Sequence, residues 1–162
     1  MKKRFNAYDK TTDEFLDNIL VVCPNCGNKA IVRLKNTHEK DTKMSCTFCG
    51  ANKYYVDVPK EKYVSERSGL VHEIEDVILG KNIDPYFHLP LWLQKETSKG
   101  IVWAYNYEHL EYMENHIGAE LRYRDATHNH FRSLGAILPK WMTAQKNRKE
   151  VLNTIKMLKQ KK

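Results

Sequence analysis

The apolar positions of this chain change period several times along its length, and each change predicts an element. Phe15, Leu16, Ile19 and Leu20 recur at helical spacing, which predicts a short helix over residues 11–20 with Thr12 as N-cap and Asp13 and Glu14 in its first turn. Val21 and Val22 follow. Ala30–Leu34 reads as a strand, residues 36–43 as a polar loop or hairpin tip, and Tyr54–Val58 as a second strand. On that strand Tyr54 and Tyr55 point to opposite faces, so one of them is the more exposed. Between Tyr63 and Leu79 two periods compete: Val71, Ile74, Val77 and Ile78 fit a helix, and residues 73–77 fit a strand equally well.

Asp84-Pro85 then marks a tight turn, and strict alternation begins. Leu89, Leu91 and Leu93 alternate with Pro90, Trp92 and Gln94, and Ile101, Trp103 and Tyr105 alternate with Val102, Ala104 and Asn106. Residues 95–100 form the turn between them, so the pattern predicts a β-hairpin with aromatic cross-strand partners. Leu110, Met113, Ile117 and Leu121 form one stripe of a helix facing that hairpin. Residues 125–129 break it, and Leu134–Pro139 leads to a short turn holding Trp141. Asn147 and Glu150 have the spacing of a capping box and start a last helix with Val151, Leu152, Ile155 and Leu158 on its buried face.

One feature has no period at all. Cys23-Pro-Asn-Cys-Gly27 is answered by Cys46-Thr-Phe-Cys-Gly50. Two sulfurs at i and i+3 of a tight turn aim at one point, and the glycine that follows accepts positive φ without a Cβ clash. Two such turns give a closed tetrahedron of thiolates, the pattern of a structural zinc site with no open coordination position. Cys23, Cys26, Cys46 and Cys49 are therefore the predicted ligands of one structural Zn²⁺. A redox dithiol needs only one Cys-x-x-Cys, and structural disulfides are disfavoured in a reducing compartment.

These elements assemble into an α+β expectation: an N-terminal helix, a zinc ribbon, then a β-hairpin packed against two or three helices. The expected division is 1–60 for helix and ribbon, and 61–162 for a hairpin–helix domain ending in a basic helix. A ribbon alone buries too little apolar surface, so metal binding supplies much of its folding free energy. The N-terminal residues carry charge without an apolar run, and nowhere do 18 apolar residues follow one another, so the expectation is a cytoplasmic protein without a membrane partner.

Charge adds a location. The formal net charge is +7, and residues 139–162 hold eight basic side chains against Glu150 alone, so the remainder sums to zero. On the last helix Arg148, Lys149, Lys156 and Lys159 gather along one flank and are the candidate nucleic-acid contacts. The competing explanation is a solvated face whose cations complement the helix dipole.

The ribbon, together with Asp84-Pro-Tyr-Phe-His-Leu-Pro-Leu-Trp-Leu-Gln94, Val102-Trp-Ala-Tyr-Asn106, His109-Leu110 and Leu138-Pro-Lys-Trp141, resembles small bacterial proteins described as having a transcription-factor-IIB-type zinc ribbon. The resemblance spans most of the chain from Cys23 onward. It implies zinc and suggests nucleic acid.

Other constellations are weaker. His128 and His130 sit two apart, as strand-borne metal ligands would, but only Asp125 offers a carboxylate nearby, and exposed loop histidines are the commoner case. His109 and His116 share a helix face near Tyr112 and Glu120 and read as a polar flank. Trp92, Trp103, Tyr105 and Tyr107 make either a base-stacking platform or, more commonly, core. No phosphate-binding loop or His-Glu-x-x-His is present, and the metal uses every cysteine. The leading expectation is a non-enzymatic zinc-ribbon protein that binds nucleic acid or a transcription or replication assembly. A protein-interaction module of adaptor or immunity type comes second, and a His-dependent nuclease third.

Overall fold

The computed structural model describes residues 4–6, 9–34, 41–123 and 133–162. The architecture is α+β, with antiparallel sheets and four α-helices among the described residues. Strand β1 (Arg4–Asn6) lies parallel to β10 (Leu121–Tyr123). Strands β2 (Asn18–Val22), β3 (Lys29–Leu34), β4 (Thr42–Ser45) and β5 (Asn52–Tyr54) form a four-stranded antiparallel sheet in chain order. Two further hairpins follow: β6 (Lys60–Val64) with β7 (Val71–Glu75), and β8 (Leu93–Glu96) with β9 (Ile101–Ala104). The helices are α1 (Tyr107–Gly118), α2 (Leu134–Ile137), α3 (Lys140–Thr143) and α4 (Arg148–Lys159).

The N-terminal helix expected over 11–20 is not formed. Thr12–Phe15 makes one 3-10 turn, with Thr11 rather than Thr12 as its cap, and Asn18–Val22 is strand. The physical reason lies in what surrounds β2. Ile19, Leu20 and Val21 are all buried, so the strand is covered on both faces and its apolar run is continuous. Both of its edges are also hydrogen-bonded. One edge pairs with β3. The other meets the segment before β8, where Trp92 N donates to Leu20 O at 2.8 Å and Val22 N to Pro90 O at 2.9 Å. Leu20 N donates to Tyr105 O at 2.7 Å, just beyond β9. One core runs from Phe15 through β2, β3 and β4 into β8, β9, α1 and α4.

The β8–β9 hairpin forms as the alternation predicts, but its cross-strand partners differ. Leu93 faces Ala104 and Gln94 faces Trp103. Val102 and Ala104 are the fully buried residues of β9, and Ile101 is exposed. The turn at Asp84 is built on its carboxylate, which accepts from the backbone N–H of Tyr86, Phe87 and Leu89 at 3.0, 2.9 and 2.6 Å. Burial pushes this carboxyl up, and the three donors pull it down.

Helix α1 begins at Asn106, whose side-chain oxygen accepts from His109 N at 2.9 Å while its amide donates to Phe15 O at 2.9 Å. Leu110, Met113 and Ile117 are buried as the stripe requires, but the helix stops at Gly118 and Leu121 belongs to β10. Helix α4 buries Val151, Ile155 and Leu158. Its expected capping box is absent. The Asn147 amide donates to Trp141 O instead, and Glu150 accepts from the backbone N and hydroxyl of Ser98 in the β8–β9 turn, each at 2.9 Å.

The region of competing periods, Tyr63–Leu79, contains the second strand of the β6–β7 hairpin. Neither strand has substantial contact with any other named element. The hairpin stands away from the body as an arm.

Candidate functional site

Two strand connections bring the four cysteines together. The first knuckle joins β2 to β3 and the second joins β4 to β5. They are built alike. Cys23 N donates to Asn28 O at 2.8 Å and Gly27 N to Cys23 O at 2.9 Å. Cys46 N donates to Ala51 O at 2.9 Å and Gly50 N to Cys46 O at 3.0 Å. Gly27 and Gly50 have φ of 72° and 76° with nothing near an added Cβ, so backbone conformation rather than space calls for glycine.

The four Sγ atoms lie within 4.8 Å of one another, with Cys23–Cys49 and Cys26–Cys46 both at 3.7 Å. A tetrahedron with metal–sulfur bonds of about 2.3 Å has edges of about 3.8 Å. All four thiols are free, and both separations are far beyond a disulfide bond of about 2.05 Å. The donor set therefore fits a single tetrahedral ion such as zinc, and it is complete without water or substrate.

Neighbouring amides support the sulfurs. Asn25 Nδ2 donates to Cys49 Sγ across the two knuckles and Asn28 Nδ2 to Cys26 Sγ, both at 3.4 Å. The Asn25 bond and the Ala51 backbone N–H bring the Cys49 thiol down to about 6, and Asn28 lowers Cys26. Burial raises Cys23 to about 11. Cys23 would hold a metal ion as its thiolate, and the ion's charge would offset that last cost.

No family model, curated protein or solved structure matches this chain.

The basic residues of α4 separate into two groups. Lys149 and Lys156 are exposed. Arg148 is half-buried, and Lys159 is ion-paired with Glu114 of α1. The structure adds cations that helical periodicity does not reveal. A groove of about 540 Å³ runs between the β8–β9 turn and α4, lined by Lys95, Lys146, Lys149 and Asn153. It shares Lys95 and Met157 with a second groove of about 350 Å³, which adds Gln94, Gln160 and Lys161. Of the two carboxylates along it, Glu150 is turned onto Ser98, whose hydrogen bonds lower its pKa. No sequence period could find Lys95, because a hairpin brings it to the helix.

The aromatic group does not form an open platform. Tyr105 is fully buried, with its hydroxyl accepting from Gly80 N at 3.0 Å. Trp103 packs against Tyr105 and His109. Trp92 lies under Lys161, whose ammonium is 4.0 Å from the ring centroid and donates to Trp92 O at 2.7 Å. On the ribbon, Tyr54 is the exposed tyrosine, with Lys43 Nζ 5.2 Å over its ring, and Tyr55 packs toward the core.

His109 and His116 are not a polar flank: each is 1% exposed. His109 stacks on Phe15 at 4.8 Å, and its Nδ1 accepts from Tyr105 N at 3.2 Å, which leaves the proton on Nε2. Burial depresses its pKa to about 3. The adjoining cavity of about 120 Å³ is lined mainly by apolar residues, including Trp103, Met113, Leu134 and Met142, without a carboxylate or cysteine. His128 and His130 lie outside the described residues. No helix among the described residues is long and apolar enough to cross a membrane.

Proposed function

We propose that this is a non-enzymatic zinc-ribbon protein that binds nucleic acid, alone or within a transcription or replication assembly. In this reading Cys23, Cys26, Cys46 and Cys49 hold one structural Zn²⁺ that fixes the ribbon. The nucleic-acid backbone lies along the C-terminal side, where Lys149 and Lys156 face solvent and Lys95 and Lys146 line the groove against α4. Arg148 extends that side, and Lys159 contributes less because Glu114 already neutralises it.

The observation that carries the reading is the placement of charge: the net +7 resides in the last two dozen residues, and the fold sets exposed lysines of that segment beside a lysine of the β8–β9 hairpin. Such a cationic, amide-lined surface suits phosphate contacts without base readout. The resemblance to proteins with a transcription-factor-IIB-type ribbon supports the same class of partner.

Binding to an oligonucleotide measured across salt concentrations tests it. Neutralising Z phosphates gives a log–log slope of roughly −0.9Z on duplex and −0.7Z on single strands. Changing Lys95, Lys146 and Lys149 together to Gln is expected to flatten the slope by about two to three units. A parent protein that binds neither duplex nor single strands at low salt refutes the function. Binding with unchanged slope in the triple variant refutes the groove.

A further inference from the structure

The β6–β7 arm is unlike the rest of the molecule. All five residues of β6 and four of five in β7 are exposed. Of the fourteen large hydrophobic residues exposed among the described residues, nine lie between Tyr54 and Leu79. An isolated two-stranded hairpin is marginal in water, and clustered exposed apolar groups mark interaction surfaces.

The pairing register assigns its two faces. Lys62 and Glu73 are opposite each other in an ion pair of 3.1 Å, on the face that also carries Val64 and Val71. The other face carries Tyr63 stacked on His72 at 5.2 Å, with Ile74 beside them. Lys60, Glu61 and Lys62 guard one open edge and Glu73 and Glu75 the other, the arrangement that discourages strand addition. A partner therefore meets a face of the arm rather than its edge.

Charge identifies that partner. From Pro59 to Asp76 the arm has three cations against five carboxylates, a net of −2, so the remainder of the +7 chain carries +9. An acidic arm is repelled by nucleic acid and attracted to the body of another copy.

We propose that the arm docks on a second copy of this chain, giving a two-fold dimer in which each arm lies against the positively charged body of the other. Tyr63 and Ile74 supply the apolar contact, and the arm's carboxylates supply orientation.

Sedimentation equilibrium of the zinc-loaded protein tests this. The parent is expected to pass from its 19.1 kDa monomer to a dimer below about 100 μM at low salt, and to dissociate as salt rises. The Tyr63→Lys, Ile74→Lys double variant is expected to weaken association at least about tenfold with unchanged zinc content. Should that variant disturb the hairpin, Glu66→Lys reverses one exposed charge in the β6–β7 turn, outside both strand faces, and is expected to weaken association in the same direction. A parent that stays monomeric throughout overturns the proposal. So does a double variant that dimerises as tightly as the parent, or a partner that proves to be only another protein. Nucleic-acid binding by a monomeric parent would leave the proposed function standing and remove the dimer alone.

Discussion

Lowering the pH should destabilise this protein through one buried imidazole. His109 is 1% exposed, is packed against Phe15, Trp103 and Tyr105, and has its pKa depressed to about 3 from an ordinary value of 6.5. Between those values the unfolded chain binds a proton that the native chain refuses, so stability is full above pH 6.5 and falls as pH drops toward 3. The slope is about 1.4 kcal/mol per pH unit, which amounts to about 2 kcal/mol between pH 7 and pH 5. Acid would also protonate the four cysteines and release a metal ion held by them, so the parent alone does not isolate the effect. The comparison is with His109→Phe, which keeps an aromatic ring and removes the titration. Its loss of the Tyr105 N–H bond is a constant offset at every pH. Urea unfolding of both proteins at pH 7 and pH 5 should show the parent losing about 2 kcal/mol more than the variant. Equal losses would refute the reasoning, as would a His109 that titrates near 6.5 by NMR.

Replacing Cys49 with Ser should abolish stoichiometric metal and unfold the ribbon, because structural zinc in small domains contributes roughly 10–16 kcal/mol of apparent binding free energy; elemental analysis with circular dichroism reads both. Gly100→Ala should destabilise by about 1–3 kcal/mol, since Gly100 has φ of 155° and an added Cβ would stand 3.0 Å from the Trp141 ring; a thermal melt with an unchanged midpoint would contradict it.

The knuckles are legible in the sequence because four identical side chains at fixed offsets have few other uses. The β8–β9 hairpin, α1 and α4 are legible because each has one wet and one dry side, which is what periodicity records. Strand β2 is not legible for the opposite reason. Phe15, Leu16, Ile19 and Leu20 satisfy a helical spacing by coincidence, and burial on both faces erases the alternation that would have betrayed a strand. The arm is ambiguous because it has no dry side at all. The two buried histidines are hidden by their residue type, since polarity argues for the surface and only the rings of Phe15, Trp103 and Tyr105 make His109 a core residue. The capping box misleads because Asn147 and Glu150 have the right spacing but bond to Trp141 and Ser98, partners brought from elsewhere in the chain.

Strand β2 has a consequence for how the ribbon could be borrowed. Zinc ribbons invite transplantation, since a short metal-held hairpin pair looks portable. Here the strand that enters the first knuckle is also the strand that receives Trp92 N and donates from Leu20 and Val22. Cut near residue 60 and grafted into another protein, the ribbon would bring a raw edge with two unsatisfied donors and one unsatisfied acceptor, beside Ile19 and Val21 stripped of their cover. The donor left behind would lose a strand from the middle of its own sheet-like seam. Metal occupancy and the order of the hairpin are thus read through the same three backbone bonds, and amide hydrogen exchange at Leu20, Val22 and Trp92 should slow together when the knuckles fill.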